Sequence, residues 1–306
     1  MDFNKGVLKA LGEFPDKPDP AFEVTASEDQ DTYTRQTVEY NVEAGERIKA
    51  YLLIPKRLKA TNPAILAAHQ HAGQYHLGKS EVVGMAGDPM YAYGVDLVKR
   101  GYVVLAPDHL AFEERIDPFF DEEKGACERY EFVRRIAGGS CLQTKYLHDL
   151  SVAVDVLEAL PGVDQDRIGV VGHSLGGQEA TWLMWYDKRI AAAVSSCGIG
   201  QIDTIFRDHI LHNYALYVPG FSKCGDISDL VRHIAPRPFF MTNGLHDTQL
   251  FPVDGVKTIA EKARERYAEL GAAQNFRSII FDGGHMFGDN EKQEVYAWLD
   301  DMLANR

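Results

Sequence analysis

Apolar residues along this chain fall into two kinds of run, which predict two kinds of strand. Residues 32–42 and 47–54 alternate β-branched or apolar side chains with polar ones, and a turn at 43–46 separates them. This period of two predicts an antiparallel hairpin with one face in water. Six later runs are short and largely apolar, as is typical of strands buried on both faces of a sheet. They cover residues 64–68, 102–106, 167–171, 190–194, 237–242 and 276–281.

Segments with a helical period separate the later strands. The longest covers residues 141–160, places Leu147, Leu150, Val154 and Leu157 on one face, and stops at Pro161-Gly162. Four others cover residues 91–100, 178–187, 256–270 and 292–304. Strand and helix alternate from residue 64 onward, which predicts a mostly parallel sheet of eight strands with helices on both faces. We expect residues 31–306 to form one α/β domain.

Three segments do not follow this alternation. Residues 1–30 form a polar lead-in, where three prolines between positions 15 and 20 exclude helix and central strand, although a short helix at 5–11 fits. Residues 109–140 and 198–236 leave the carboxyl ends of strands, where ligands bind in open α/β sheets. We expect these two insertions to cover that edge and to wall a modest, partly aromatic pocket. The aromatic residues in question are Phe119, Phe120, Tyr130, Phe206, Tyr214, Tyr217 and Phe221.

Composition narrows the class of protein. The 306 residues are 45% hydrophobic and 25% charged, with a formal net charge of −13. This balance is typical of globular proteins, and it argues against nucleic-acid binding and against electrostatic binding to anionic membranes. Neither a membrane span nor an apolar leader is visible, and four scattered cysteines imply neither a zinc motif nor a disulfide framework. We therefore expect a cytoplasmic protein, and the sequence leaves the oligomeric state open, a homo-oligomer included.

The candidate chemistry centres on Gly172-His173-Ser174-Leu175-Gly176. An apolar strand precedes this G-x-S-x-G pattern and a helix follows it, which is the context of a nucleophile elbow. A serine at the tip of such a turn is exposed to substrate, and glycines two residues away on each side let strand and helix pass closely. The helix N-terminus then presents backbone N–H groups to developing negative charge.

A nucleophilic serine needs a base, and the base needs an orienting acid. His285 fits the base because it follows the last strand and the flexible pair Gly283-Gly284. Asp247 fits the acid because it follows the strand at 237–242. Asp282 is its main rival, although an acid three residues before the histidine would more naturally cap its own turn.

The oxyanion of an acyl-transfer intermediate needs two donors. One candidate is the backbone N–H of Leu175, and the other comes from the loop after residues 64–68. His71 is the favoured donor there, with Gln70 and Ala72 as alternatives. The histidines of this loop lack a carboxylate nearby in sequence, so we expect no metal, and we expect His69 to brace the loop.

These motifs resemble the α/β-hydrolase superfamily, and within it the dienelactone-hydrolase and acetyl-xylan-esterase-like branch. The matching segments are His69–Gly73, Ala106–Asp108, Gly172–Gly177, Gly244–Asp247 and Gly283–His285. The resemblance extends from about residue 47 to the C-terminus and implies an α/β-hydrolase fold with a Ser174–Asp247–His285 triad. Two departures matter: dienelactone hydrolases use a cysteine nucleophile where this chain has Ser174, and Gln70 replaces a glycine common in relatives.

The resulting prediction is a serine carboxylester hydrolase that needs no cofactor and acts on small-molecule esters with a short acyl chain. A peptidase, thioesterase or acyltransferase could use the same triad, since the fold does not choose among them. A non-catalytic binding protein on the same scaffold is the remaining alternative.

Overall fold

Nine strands form one sheet in the computed structural model, which describes residues 2–304. The strands are β1 (Glu23–Asp29), β2 (Tyr33–Glu43), β3 (Glu46–Pro55), β4 (Asn62–Ala68), β5 (Val103–Pro107), β6 (Val163–His173), β7 (Ile190–Ser196), β8 (Phe239–Gly244) and β9 (Phe276–Phe281). Their order across the sheet is β1-β2-β3-β5-β4-β6-β7-β8-β9. Neighbours are antiparallel from β1 to β5 and parallel from β5 to β9, so the mostly parallel sheet is confirmed.

Helices cover both faces of the sheet, as predicted. They are α1 (Phe3–Leu11), α2 (Lys79–Val82), α3 (Tyr93–Lys99), α4 (Lys124–Ala137), α5 (Leu142–Ala159), α6 (Leu175–Tyr186), α7 (Ile202–Arg207), α8 (Ile227–Ile234), α9 (Val253–Glu269) and α10 (Asp289–Leu299). Ala64 and Leu66 of β4 pack into the core shared with α5, α6, α8 and α9, whereas Ile65 and Ala67 pack into the core shared with α3 and α10. Because both faces of the strand are buried, its sequence is continuously apolar.

The sheet has one strand more than the eight expected, and this strand lies in the lead-in. All seven residues of β1 are exposed, so no buried apolar face marks this segment as a strand. Backbone pairing with β2 defines it instead. Helix α1 lies near the expected position, is capped by the Asp2 side chain on the N–H of Lys5, and buries Val7 and Leu11.

The first insertion contains α4, a helix that the sequence analysis did not predict. Its buried residues include Glu128, while Val133 remains more than half exposed, so the apolar pattern gives no sign of which face is buried. The second insertion contains α7 and α8. Within residues 2–304, no helix combines the length and apolar character needed to cross a membrane.

Candidate active site

Ser174 stands between the end of β6 and the first residue of α6. Its φ of 55° and ψ of −120° lie in a region that residues with a side chain rarely adopt. The N–H of Ser174 donates to the carbonyl of Ser196 on the neighbouring strand β7 at 2.8 Å. The serine is therefore held in a strained turn at the carboxyl edge of the parallel strands.

The glycines on each side of Ser174 are required by close backbone contacts. A Cβ on Gly172 would lie 2.2 Å from the carbonyl carbon of Gly176. A Cβ on Gly176 would lie 1.9 Å from the carbonyl oxygen of Ala68 at the end of β4. Both contacts are far shorter than van der Waals distance and involve backbone atoms, so no side chain fits at either position.

Asp247 and His285 form a hydrogen bond although 38 residues separate them. The Nδ1–H of His285 donates to Oδ2 of Asp247 at 2.7 Å. Asp247 is buried, whereas about a quarter of the His285 side chain is exposed. Because Nδ1 carries the proton that is donated to the carboxylate, the other nitrogen of the neutral ring, Nε2, is unprotonated.

Backbone contacts hold the loop after β8, which carries Asp247, against the loop after β9, which carries His285. A Cβ on Gly244, the last residue of β8, would lie 2.1 Å from the carbonyl oxygen of Gly284. The N–H of Leu245 donates to Phe281, and the N–H of His246 donates to Gly283, each at 2.8 Å. These bonds extend the pairing of β8 and β9 beyond the strands.

Asp282, the alternative candidate for the acid, has a different hydrogen-bond partner. The Asp282 side chain is 90% exposed, and Oδ1 accepts a hydrogen bond from His246 Nε2 at 2.7 Å. This pair lies on the surface, so Asp247 is the acid that the geometry couples to His285.

Ser174 and His285 line the same cavity, which has a volume of about 310 Å³. Its other lining residues are His71, Ala72, Gly73, Leu211, His212, Asn213 and Leu250. Three of them, from Leu211 to Asn213, belong to the second insertion.

The expected aromatic lining is wrong for this cavity among the described residues. Phe206 and Tyr217 stack on each other, Phe221 is buried in the core, and Phe119 is 86% exposed. These rings stack on each other, pack in the core or lie on the surface, so histidines and aliphatic residues line the cavity beside Ser174 instead.

The loop after β4 presents His71 and Ala72 to the Ser174 cavity, whereas the Gln70 side chain turns away and donates to Glu81 at 2.8 Å. The His71 ring accepts a hydrogen bond from the N–H of Gly73 at Nδ1, so its Nε2–H donates to Glu128 at 2.8 Å. Glu128 belongs to α4 and was missed by the sequence analysis. It links the first insertion to the predicted oxyanion loop.

His69 braces the same loop from inside. Its Nδ1 donates to the carbonyl of Gln70 at 2.7 Å, and its Nε2 accepts from the N–H of His109 at 3.0 Å. Burial lowers the pKa of His69 to about 4, so the ring is neutral at pH 7.

His173 lies against the His285 ring, with centroids 4.8 Å apart. Its Nδ1 is 3.0 Å from the Ser196 hydroxyl, and Tyr91 stacks on it. Burial holds the pKa of His173 well below its ordinary value, and proximity to His285 lowers it further. A neutral, packed His173 supports the site rather than acting as a second base.

Behind the elbow, α6 carries a second buried carboxyl group that the sequence analysis missed. Glu179 accepts hydrogen bonds from the side-chain amides of Gln143 and Gln178, at 2.6 and 3.3 Å. The Gln178 carbonyl in turn accepts from Asn213, a residue that lines the cavity. Burial raises the pKa of Glu179 to about 8.

The acidic residues after β5 form an ion-pair network around one lysine. Asp108, Glu113 and Glu114 converge on Nζ of the buried Lys79. Burial raises the pKa of Asp108 to about 7, against the opposing effect of Lys79. The ammonium occupies the position where three carboxylates would otherwise hold a metal ion.

One set of side chains has the ligand types that zinc uses. Single ligand atoms of Cys197, Asp247 and His285 lie within 4.8 Å of one another. The Asp247–His285 hydrogen bond already uses Nδ1 of the histidine, so a metal there would have to replace it.

Sequence comparison assigns the chain to a family. The sequence model of the dienelactone hydrolase family matches residues 48–218. The chain belongs to this family. The model of the prolyl oligopeptidase family also matches, over residues 135–306. The Bacillus subtilis protein named "Putative hydrolase YtaP" is 31% identical over 302 residues, covering 98% of each chain.

Solved structures support the α/β-hydrolase fold of this dienelactone hydrolase family member. A protein from Bacteroides fragilis described as a "putative acetyl xylan esterase" superimposes with a TM-score of 0.76 at 21% identity, covering 98% of this chain and 88% of that one. A glucuronoyl esterase from Solibacter usitatus gives a TM-score of 0.72 at 15% identity, covering 98% and 91%. The fold predicted from the motifs is thereby confirmed.

Proposed function

We propose that the protein is a serine carboxylester hydrolase. One observation carries the proposal: a buried Asp247 holds His285 by a 2.7 Å hydrogen bond, and His285 shares a cavity with the strained Ser174. A carboxylate, an imidazole and a serine at an elbow are the parts that nucleophilic acyl transfer requires.

In the proposed reaction, Ser174 Oγ attacks the ester carbonyl carbon while His285 takes its proton. Asp247 keeps Nδ1 of His285 protonated and stabilises the imidazolium that forms. The backbone N–H groups of Leu175 and His71 stabilise the oxyanion, and Leu175 suits this role because the first N–H groups of a helix lack intrahelical acceptors. His285 then protonates the leaving alcohol, and water cleaves the acyl-enzyme by the same steps.

The proposed substrates have a short acyl group, because the Ser174 cavity of about 310 Å³ is at the small end of ligand pockets and includes two leucines, Leu211 and Leu250. We also propose a cytoplasmic location, which the four unpaired cysteines favour, since free thiols persist in a reducing compartment.

A peptidase is the second candidate, and the match to the prolyl oligopeptidase family favours it. The two candidates share their triad and differ in the bond that is cleaved. A panel of p-nitrophenyl esters of increasing acyl length, acetylated sugars, lactones and peptide p-nitroanilides separates them by relative kcat/KM.

The serine mechanism is tested with a fluorophosphonate probe. We expect the folded protein to form one adduct, mapped to Ser174 by peptide mass spectrometry, and the Ser174→Ala variant to form none. A folded protein that stays unlabelled while Ser174 is accessible contradicts the proposal.

A further inference from the structure

A second cavity also adjoins His285. It has a volume of about 580 Å³ and shares Ala72 and His285 with the Ser174 cavity. Its other lining residues are Gln70, Gln74, Leu77, Glu81, Gly87, Asp88, Pro89 and Tyr91. Ser174 is absent from this described lining, so His285 stands at the boundary between two spaces and the serine faces one of them.

The chemistry of acyl transfer assigns the two halves of an ester to the two cavities. The carbonyl carbon has to reach Ser174 Oγ, whereas the leaving oxygen has to accept a proton from His285. An ester bound across His285 therefore places its acyl group in the cavity of Ser174. Its alcohol extends into the second cavity.

The second cavity is acidic. Two carboxylates, Glu81 and Asp88, belong to its lining, and lysine and arginine are absent from the lining that the structure describes. Glu81 is buried and accepts hydrogen bonds from two neutral donors, the Gln70 amide at 2.8 Å and the N–H of Asp88 at 3.1 Å. Among residues 2–304, neither carboxylate has an ion-pair partner within 4 Å, so both charges remain uncompensated nearby.

An aromatic ring completes this cavity next to the base. Tyr91 lines the cavity, and its hydroxyl donates to the carbonyl of His285 at 3.5 Å. Burial, together with the negative charges of Asp88 and Glu81, raises the pKa of Tyr91 to about 12. The field of the two carboxylates therefore extends to the ring beside His285.

We infer that the second cavity is the leaving-group subsite and that it selects esters whose alcohol carries a positive charge. The inference rests on the proposed esterase function. Carboxylates attract an ammonium group and repel an anion, and an aromatic ring adds a favourable cation–π contact. The Ser174 cavity, whose described lining contains no aspartate or glutamate, has no comparable preference.

Three acetate esters of similar size test the inference, because they differ in the charge of the alcohol. Acetylcholine is cationic, 3,3-dimethylbutyl acetate is its neutral isostere, and 3-acetoxypropanoate is anionic. We expect kcat/KM for acetylcholine to exceed that of the neutral ester by roughly tenfold at low salt, and the anionic ester to be slowest. The preference should shrink at high ionic strength because Asp88 is exposed.

The Asp88→Asn variant tests whether the preference for a cationic alcohol arises from the carboxylates of the second cavity. Asparagine preserves the side-chain cap that Asp88 provides to the N–H of Met90, so the local turn should persist. We expect the cationic-to-neutral ratio of kcat/KM to fall by about threefold, with Glu81 retaining part of the preference. Asp31→Asn is the matched control: it removes the same charge from an exposed position in the β1–β2 turn and should leave the ratio unchanged.

Hydrolysis of the neutral ester at the same rate as acetylcholine, or a ratio that Asp88→Asn does not lower, overturns the inference and leaves the esterase proposal intact. Failure of all three esters, together with no fluorophosphonate adduct on Ser174, overturns the proposed function instead.

Discussion

Replacement of Asp247 by asparagine tests the proposed triad most directly. The change keeps the shape of a buried side chain and removes the charge that faces His285 across 2.7 Å. When His285 becomes an imidazolium, the two charge centres are about 4 Å apart, which corresponds to about 4 kcal/mol at an effective dielectric constant near 20. At 1.36 kcal/mol per factor of ten, kcat should fall about a thousandfold, and loss of the correct tautomer brings the expected loss towards ~10⁴-fold.

The assay compares kcat and KM of Asp247→Asn and Asp282→Asn on one short-chain p-nitrophenyl ester. Asp282 is a matched control because its carboxylate contacts His246 on the surface. We expect Asp282→Asn to retain kcat within about twofold, since removal of an exposed pair is worth little. Circular dichroism and the denaturation midpoint show whether each variant is folded. A folded Asp247→Asn enzyme with near-normal kcat, or a large loss in Asp282→Asn, refutes the assignment.

Three further predictions follow from the same contacts. Gly176→Ala should lower the free energy of unfolding by about 3 kcal/mol in urea denaturation, because its Cβ would lie 1.9 Å from a carbonyl oxygen. The control Gly45→Ala, at a positive φ with open space around it, should lower the free energy of unfolding by about 1 kcal/mol. Equal losses in the two variants would contradict the steric argument. Glu128→Ala should reduce kcat about tenfold with little change in KM, because His71 loses the hydrogen-bond acceptor that holds its loop in place. An unchanged kcat would show that Glu128 does not position the proposed oxyanion loop. Because the pKa of Glu179 is raised, the folded state keeps this proton between about pH 4.5 and pH 8, whereas the unfolded state releases it. The contribution of Glu179 to the free energy of unfolding is therefore fully present below about pH 4.5 and is lost as the pH rises towards 8. The loss is at most about 1.4 kcal/mol per pH unit. Urea denaturation of wild type and Glu179→Gln between pH 5 and pH 8 checks this, and parallel stability curves would contradict it.

The central sheet could be predicted because its strands are buried on both faces. The apolar runs at β4, β5, β6 and β7 pack into two cores at once, and their short length and flanking turn residues favour strands over buried helices. The positions of Asp247 and His285 followed from the same reasoning, since the carboxyl ends of parallel strands meet at one edge.

The parts that the sequence did not reveal depend on contacts distant in the chain. Strand β1 is exposed along its whole length, so only its hydrogen bonds to β2 define it. Glu128 matters because it accepts a hydrogen bond from His71, 57 residues away in the chain. The sequence gives no sign of this, because a glutamate on a charged helix ordinarily faces solvent. The aromatic residues of the insertions were assigned to the pocket by composition, but side-chain packing decided their places.

The exposed strand β1 also bears on self-association. It ends the sheet with unpaired backbone groups on one side, and such edges can recruit another copy of the chain. Acidic residues stand at both of its ends, Glu23 at one and Glu28-Asp29 at the other. A second β1 laid alongside in either direction would bring these carboxylates together, so its pairing would have to compete with the ion pairs that they form with Arg47, Arg35 and Lys56.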